Sequence, residues 1–464
     1  MQWRLLIAVL CVLLVACNGT PPAPVTSLPP PQVSPTIAQI TPSLTASPVL
    51  LPTSTDEPMV LPPPYTGPLD LVVLEDPLQL CEISSPFALP AQGVLQLAFI
   101  PNRRCTDINS DLDLFEVNDR LYAAQRNARG FRLVEVTNPA QPAELGVWQL
   151  KPRAGTGHIV AFRQYDRWYL ALPLESPSPY SAFPCGLVII EVTQPQAPVL
   201  QGRYDGTTVD SNLPWCNVHS VEIDTDADGN ATFLLALTPN TADVRVLDIR
   251  NLDDIREVNA YHLHAHPHGG HGSWAHRATI VGDRIYIAYW GGGVVIVDKD
   301  GLETGATSDA VALTPPGSID PSDFVAHDTR PTVDGNFLFV SDMDRLSDGI
   351  RLFDIRNVAQ PREIWASDFS DTDTAHHTLQ VQGDLLFVPW FHEGLRIFRY
   401  DLSDPDHPMI EQVAFQAVRE PPHDRYGGVS ELKVHPCQIE EKAKTCIYAS
   451  DERLGLMILA LDDD

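Results

Sequence analysis

Positive charge is what this sequence has least of. Its 464 residues carry 31 Lys and Arg against 60 Asp and Glu, a formal charge of −29 with an isoelectric point near 4.7. Such a surface repels a phosphate backbone, and no basic patch escapes the general acidity, so nucleic acid is excluded as a partner. A long hydrophobic run is also missing. The N-terminal apolar stretch, Leu5 to Ala16, is too short to cross a bilayer as a permanent helix. No nucleophile elbow, phosphate-binding loop or dinucleotide fingerprint stands out, which leaves ordinary hydrolase, kinase and dehydrogenase chemistry without support.

What is plentiful is proline, 42 residues of it, crowded toward the N-terminus. Arg4 followed by the apolar run reads as a signal peptide over residues 1–16. The run ends Leu14, Val15, Ala16, Cys17, which resembles the lipobox of bacterial lipoproteins. That resemblance implies a diacylglycerol on the Cys17 sulfur, a stable membrane anchor and a place in the bacterial cell envelope outside the cytoplasm. Asn18 after the cysteine, in place of Asp, favours the outer membrane where a cell has two. Residues 17–68 are Pro, Thr, Ser and small apolar residues with almost no charge, the composition of an extended, solvated stalk. Residues 69–464 are then expected to form one domain, monomeric and touching the membrane only through its anchor. Six further cysteines, an even number in an exported chain, favour disulfides. The simplest local pairs are Cys81 with Cys105, Cys185 with Cys216, and Cys437 with Cys446, while other connectivities stay open.

One strand recurs along the domain: Gly130–Val136 (GFRLVEV), Gly186–Val192 (GLVIIEV), Gly293–Asp298 (GVVIVD), Gly349–Ile355 (GIRLFDI) and Gly394–Phe398 (GLRIF). Asp243–Ile249 (DVRVLDI) and Gly455–Leu459 (GLMIL) are weaker copies. Proline turns follow several of them, as in Thr137–Pro142, Thr193–Pro198 and Ser403–Pro408, and hairpins such as Leu379–Val388 precede them. Each repeat thus reads as four short strands, a propeller blade, and the chain as an all-β, single β-propeller of seven four-stranded blades. The strand resembles the LVIVD-repeat family, nearly spelled by Val294–Asp298 (VVIVD) and echoed by Leu187–Glu191 (LVIIE). The resemblance runs from about Leu112 to the C-terminus and implies a propeller on an exported bacterial protein, with no settled chemistry attached. The last repeat stops after its third strand, so its outer strand is expected from the N-terminal side, with Val94–Phe99 (VLQLAF) as the donor that closes the ring.

Aligning the repeats puts a histidine at the start of the innermost strand in five of seven: His158, His219, His276, His327 and His377, with Asp113 and Ser430 in the other two places. A ring around one end of the channel is the expectation. The loop before His276 adds His266, His268 and His271 among others, and His376, His392 and His423 map to the same side. Neutral imidazoles that converge can bind zinc, copper or iron. The layout is similar in outline to carotenoid-cleaving oxygenases and selenium-binding (methanethiol oxidase) proteins, without a diagnostic motif of either. The competing reading is that each histidine braces the neighbouring blade. Asp224, Asp226 and Asp228 alternate in a hairpin turn as at the start of a calcium loop, although the distal glutamate is missing. Trp274, Tyr289, Trp290, Trp390 and Phe391 offer either a ligand platform or a plug for the blade ends. These readings point to a surface module that binds a small molecule or protein, with bound metal as an option. The alternative is a metal-dependent oxidase- or oxygenase-like enzyme.

Overall fold

Repeat strands that read as unbroken apolar runs are buried on both sides. In Gly186–Glu191, Val188 and Ile190 pack with Ala124 and Leu133 of the preceding sheet, whereas Leu187 and Ile189 pack with Leu234 and Ala236 of the next. Side chains alternate across a strand, so one flanked by sheets on both faces keeps no polar side. The computed structural model describes residues 67–74, 83–102, 108–175, 183–206, 208, 209, 215–239, 241, 243–262, 273–315, 318, 319, 325–343, 349–367, 377–419 and 427–462. The chain separates into Met1–Met59 and Val60–Asp464, and every described residue belongs to the second unit. The expected signal peptide, Cys17 and the expected stalk up to residue 66 therefore lie outside the described residues. No helix among the described residues is long and apolar enough to cross a membrane.

The fold is all-β and antiparallel. From its innermost strand outward, the first sheet holds Asp111–Val117, Arg120–Asn127, Gly130–Glu135 and Ala143–Lys151, with Asp70–Val73 added at the outer edge. Val160–Gln164, Arg167–Glu175, Gly186–Glu191 and Val199–Tyr204 make the second, and Ser220–Thr225, Ala231–Thr238, Asp243–Asp248 and Arg256–His262 the third. Ser273–Val281, Arg284–Trp290 and Val294–Asp298 come next and are joined through the single Trp290–Ala326 bridge to Ala326–Pro331, Phe337–Asp342, Gly349–Asp354 and Arg362–Ala366. Gln380–Gln382, Leu385–Trp390, Gly394–Asp401 and Met409–Gln416 follow, edged by Ala91–Gln92. Last come Val429–Ile439, Lys442–Asp451 and Gly455–Leu461, and on the outer side of Gly455–Leu461 lies Val94–Pro101, with Val94 opposite Leu461 and Pro101 opposite Gly455.

Seven apolar clusters lie between consecutive groups of strands, and one of them joins Tyr448, Leu456 and Ile458 of the last to Leu112, Ala123 and Val134 of the first. A bulge recurs where the repeat strand meets its outer neighbour, between Leu133 and Val134, Ile189 and Ile190, Val246 and Leu247, Leu352 and Phe353, and Ile397 and Phe398. Bulges sharpen the local twist, and this one does so at the same step of these five repeats.

One repeat departs from the expected four strands. After Val294–Asp298 the chain forms two short helices, Lys299–Glu303 and Ser308–Val311. The cause is local: the Asp298 carboxylate accepts the Gly301 amide at 2.9 Å and caps the first helix. The outer position is reduced to a bridge between Val297 and Ala312. Cys185 is bonded to Cys216 and Cys437 to Cys446, whereas Cys81 and Cys105 lie outside the described residues.

Candidate functional site

Five imidazoles meet where the innermost strands begin. Ring centroids of neighbours lie 5.0 Å apart for His158 and His219, 4.4 Å for His219 and His276, 3.9 Å for His276 and His327, 4.4 Å for His327 and His377, and 5.8 Å for His377 and His158, a closed circuit. Hydrogen bonds from one sheet to the next orient them. Nδ1 of His276 faces the His327 carbonyl at 2.9 Å, Nδ1 of His327 the His377 carbonyl at 2.5 Å, and Nδ1 of His377 the Ser430 carbonyl at 2.7 Å. A carbonyl only accepts, so in each of these rings Nδ1 carries the proton and neutral Nε2 keeps its lone pair. His219 places Nδ1 on the Glu175 carboxylate and its Nε2 3.0 Å from Nε2 of His276.

His158 is reversed. Nη1 of Arg277 lies 3.2 Å from its Nδ1, and a guanidinium only donates, so here Nδ1 accepts and Nε2 bears the proton. Arg277 also reaches Oε2 of Glu431 at 2.7 Å and comes within 3.6 Å of Asp328. Asp111, His158 and Glu431 bring ligand atoms within 4.8 Å of one another, the one such trio of His, Cys, Asp or Glu among the described residues. The Arg277 guanidinium already supplies the positive charge there.

Burial sets the protonation states. It pushes His158, His276 and His327 well below the usual imidazole value, reinforced by Arg277 for His158 and by neighbouring imidazoles for the other two. His377 is brought down to about 4, chiefly by burial and despite the opposing pull of Glu431. Asp111 is raised by burial, only partly offset by Arg277. For Glu175, burial is outweighed by the charge and hydrogen bond of His219, and its carboxyl sits below the usual range.

The aromatic candidates separate into two groups. The rings of Trp274 and Trp290 stack 5.5 Å apart and stand 4.8 and 5.1 Å from His276, while Phe391 lies 5.2 Å from His377. Trp290 and Phe391 both have positive φ, 50° and 34°, costly for bulky residues and a sign that surrounding packing holds these rings against the imidazoles. Tyr289 and Trp390, by contrast, are buried in apolar clusters and leave the platform.

One sequence reading needs correction. Asp113 does not take the ring position of the first sheet: the Ser430 hydroxyl bonds the Ser110 carbonyl at 2.9 Å, which puts Ser110 there. Asp113 pairs with Lys433 at 3.3 Å. Of the calcium candidates Asp224, Asp226 and Asp228, the first two have partners within the protein. Asp226 accepts the amides of Asp228 and Asn230 at 2.9 and 2.8 Å and so closes its own turn, while Asp224 meets Lys299 at 3.0 Å. His266, His268 and His271 lie outside the described residues.

Below the imidazoles the innermost strands surround a cavity of about 710 Å³ with residues of every repeat in its wall. Arg277, Arg330 and Lys433 face it together with Asp113, Glu222 and Glu431. Apart from Asp113, sequence reasoning missed these residues. The available signal was a polar residue directly after the ring position, as in Ser220, Arg277, Asp328, Thr378 and Glu431.

Residues 274–298, which include Trp274, His276, Arg277 and Trp290, match the LVIVD repeat family. The comparison with curated proteins gives no match. Among solved structures, the chain is similar to the periplasmic gluconolactonase PpgL of Pseudomonas aeruginosa, at 13% identity over 77% of this chain and 95% of that one, with a TM-score of 0.46. It is also similar to the computationally designed Ika8 protein, at 8% identity over 80% of this chain and 99% of that one, with a TM-score of 0.45.

Proposed function

We propose, from a chain that carries the LVIVD repeat in a β-propeller-like fold, a small-molecule binding module of the bacterial envelope. In this reading seven blades surround one channel, and Val94–Pro101 closes the ring against Gly455–Leu461. Cys17 carries the lipid anchor, and the stalk holds a monomeric domain off the membrane. The observation that carries the binding function is the cavity of about 710 Å³, a size suited to a small organic ligand. Its wall presents charges of both signs, so the favoured ligand is polar and carries complementary charged groups. Glu222 is the natural partner for a ligand cation, because its Oε1 accepts only an amide bond from Ile280, at 3.3 Å, among the hydrogen bonds described. Lys433 and Arg330 suit a ligand anion.

A thermal-melt screen of the purified chain against amino acids, amines and sugar acids tests this, with the fluorescence of Trp168 in the cavity wall as second readout. A binder should lose about tenfold or more in affinity, roughly 1.4 kcal/mol, in Glu222→Gln or Lys433→Met and nothing in Asp226→Ala. Binding that ignores both cavity variants, or no binder at all, refutes the reading. The oxidase or oxygenase alternative ranks second. It calls for three or more imidazoles on one ion, and no three ring nitrogens among the described residues lie within 4.8 Å of one another.

A further inference from the structure

We infer that the pair His219 and His276 is a binding site for one divalent transition-metal ion, held between their Nε2 atoms. The inference is independent of the small-molecule reading, since it concerns the imidazole circuit and not the charged cavity below it. Nδ1 of His276 is committed as a donor to the His327 carbonyl, so its neutral ring presents a lone pair at Nε2. Nδ1 of His219 is committed to the Glu175 carboxylate. The two Nε2 atoms stand 3.0 Å apart, a gap that a proton on His219 bridges in the metal-free chain and that one ion displacing this proton fits equally well. Nitrogens each about 2.0–2.1 Å from one ion, at angles between a right angle and tetrahedral, lie about 3 Å apart.

The surroundings fit an ion. Metal-binding histidines are held by carboxylates and backbone carbonyls on their other nitrogen, which are the partners of His219 and His276. Imidazole donors select zinc, copper or nickel over calcium and magnesium. Trp274 and Trp290 wall one side. Beyond Nδ1 of His219, Glu175 lines a cavity of about 620 Å³ with Arg126, Thr156 and Asn217. The other candidate, Asp111 with His158 and Glu431, has Arg277 as its cation.

Titration of the purified full chain with Cu²⁺ and Zn²⁺, in a background where His264, His266, His268 and His271 are Ala, reads the site without the loop. One equivalent should bind, and the Cu²⁺ electron paramagnetic resonance spectrum should show two imidazole nitrogens. His219→Gln and His276→Ala should each abolish that signal, Glu175→Gln should weaken binding by about 10–100-fold, and His158→Gln should leave the two nitrogens in place. The His219 side chain is 19% exposed, whereas His276 is buried, so the His219 variant should keep the wild-type melting curve and carries the test if His276→Ala fails to fold. No uptake of metal, or uptake unchanged in His219→Gln, overturns the inference. So does nitrogen-15 NMR showing a proton shared between the two rings in a chain that takes up no metal.

Discussion

An imidazole that donates Nδ1–H to the next repeat's carbonyl braces two sheets and at the same time aims a bare Nε2 inward. For His276, His327 and His377 the bracing and metal-binding readings are therefore compatible, because one hydrogen bond serves both. Charges elsewhere are compensated less completely, and Glu303 is the clearest case. Its side chain is nearly buried, with Lys299 at 3.9 Å and Lys299 in turn 3.0 Å from Asp224. Burial, then repulsion from Asp224, pushes Glu303 up to about 7 against an ordinary value of 4.5, and Lys299 offsets only part. A carboxyl raised in the folded state stabilises fully below about pH 4.5, and the contribution is lost as pH rises through about 7. Glu303→Gln should accordingly be more stable than the parent at pH 8, by about 1 kcal/mol once partial solvation is allowed for, and indistinguishable from it near pH 4.5. Urea melts at the two pH values measure this, and an equal difference at both would contradict it.

At the scale of elements, the glycine that opens a repeat strand has a definite task. Gly186 has φ of +97° and Gly394 of +87°, and a Cβ on either would sit 2.2 Å from the Tyr204 carbonyl oxygen or 2.0 Å from that of Gln416. The outer strand can approach only because nothing is there. Gly186→Ala should cost more than about 2 kcal/mol in denaturant melts, strain and clash together, whereas Gly282→Ala, with nothing near its Cβ, should cost the smaller penalty of its φ alone. These strands were legible in the sequence because burial on both faces makes the apolar run unbroken and a proline turn ends it. The short helices after Asp298 were not, because an acidic residue ends Gly130–Glu135 and Gly349–Asp354 as well, and only here does it cap a helix. Among site residues, the histidines could be read from repeat register alone. The same register marks Arg277 and Glu431 as polar positions, but not their pairing, since they lie 154 residues apart and no local pattern links them.

Over the whole domain, stability depends on burying strand edges, and the last strand is the most demanding. Every residue of Gly455–Leu461 is buried, with Lys442–Asp451 on one side and Val94–Pro101 on the other. Without the second partner its backbone donors and acceptors would form an open, wholly apolar edge, an invitation to intermolecular pairing. The same strand contributes Val94 and Phe99 to the cluster around Met457 and Leu459, and Leu95 and Ile100 to the cluster around Tyr448 and Ile458. Losing it would thus open two apolar seams as well as a ladder. A chain that starts at Pro68 keeps all of these contacts and should melt as one cooperative unit. One that starts at Asn102 should aggregate or lose its cooperative transition, and a synthetic peptide spanning Gln92–Asn102 should restore a soluble, cooperatively melting domain by filling the strand position. Size-exclusion chromatography and circular dichroism report both outcomes. A soluble, cooperative chain beginning at Asn102 without the peptide would mean that Gly455–Leu461 finds another partner and that the N-terminal strand is dispensable.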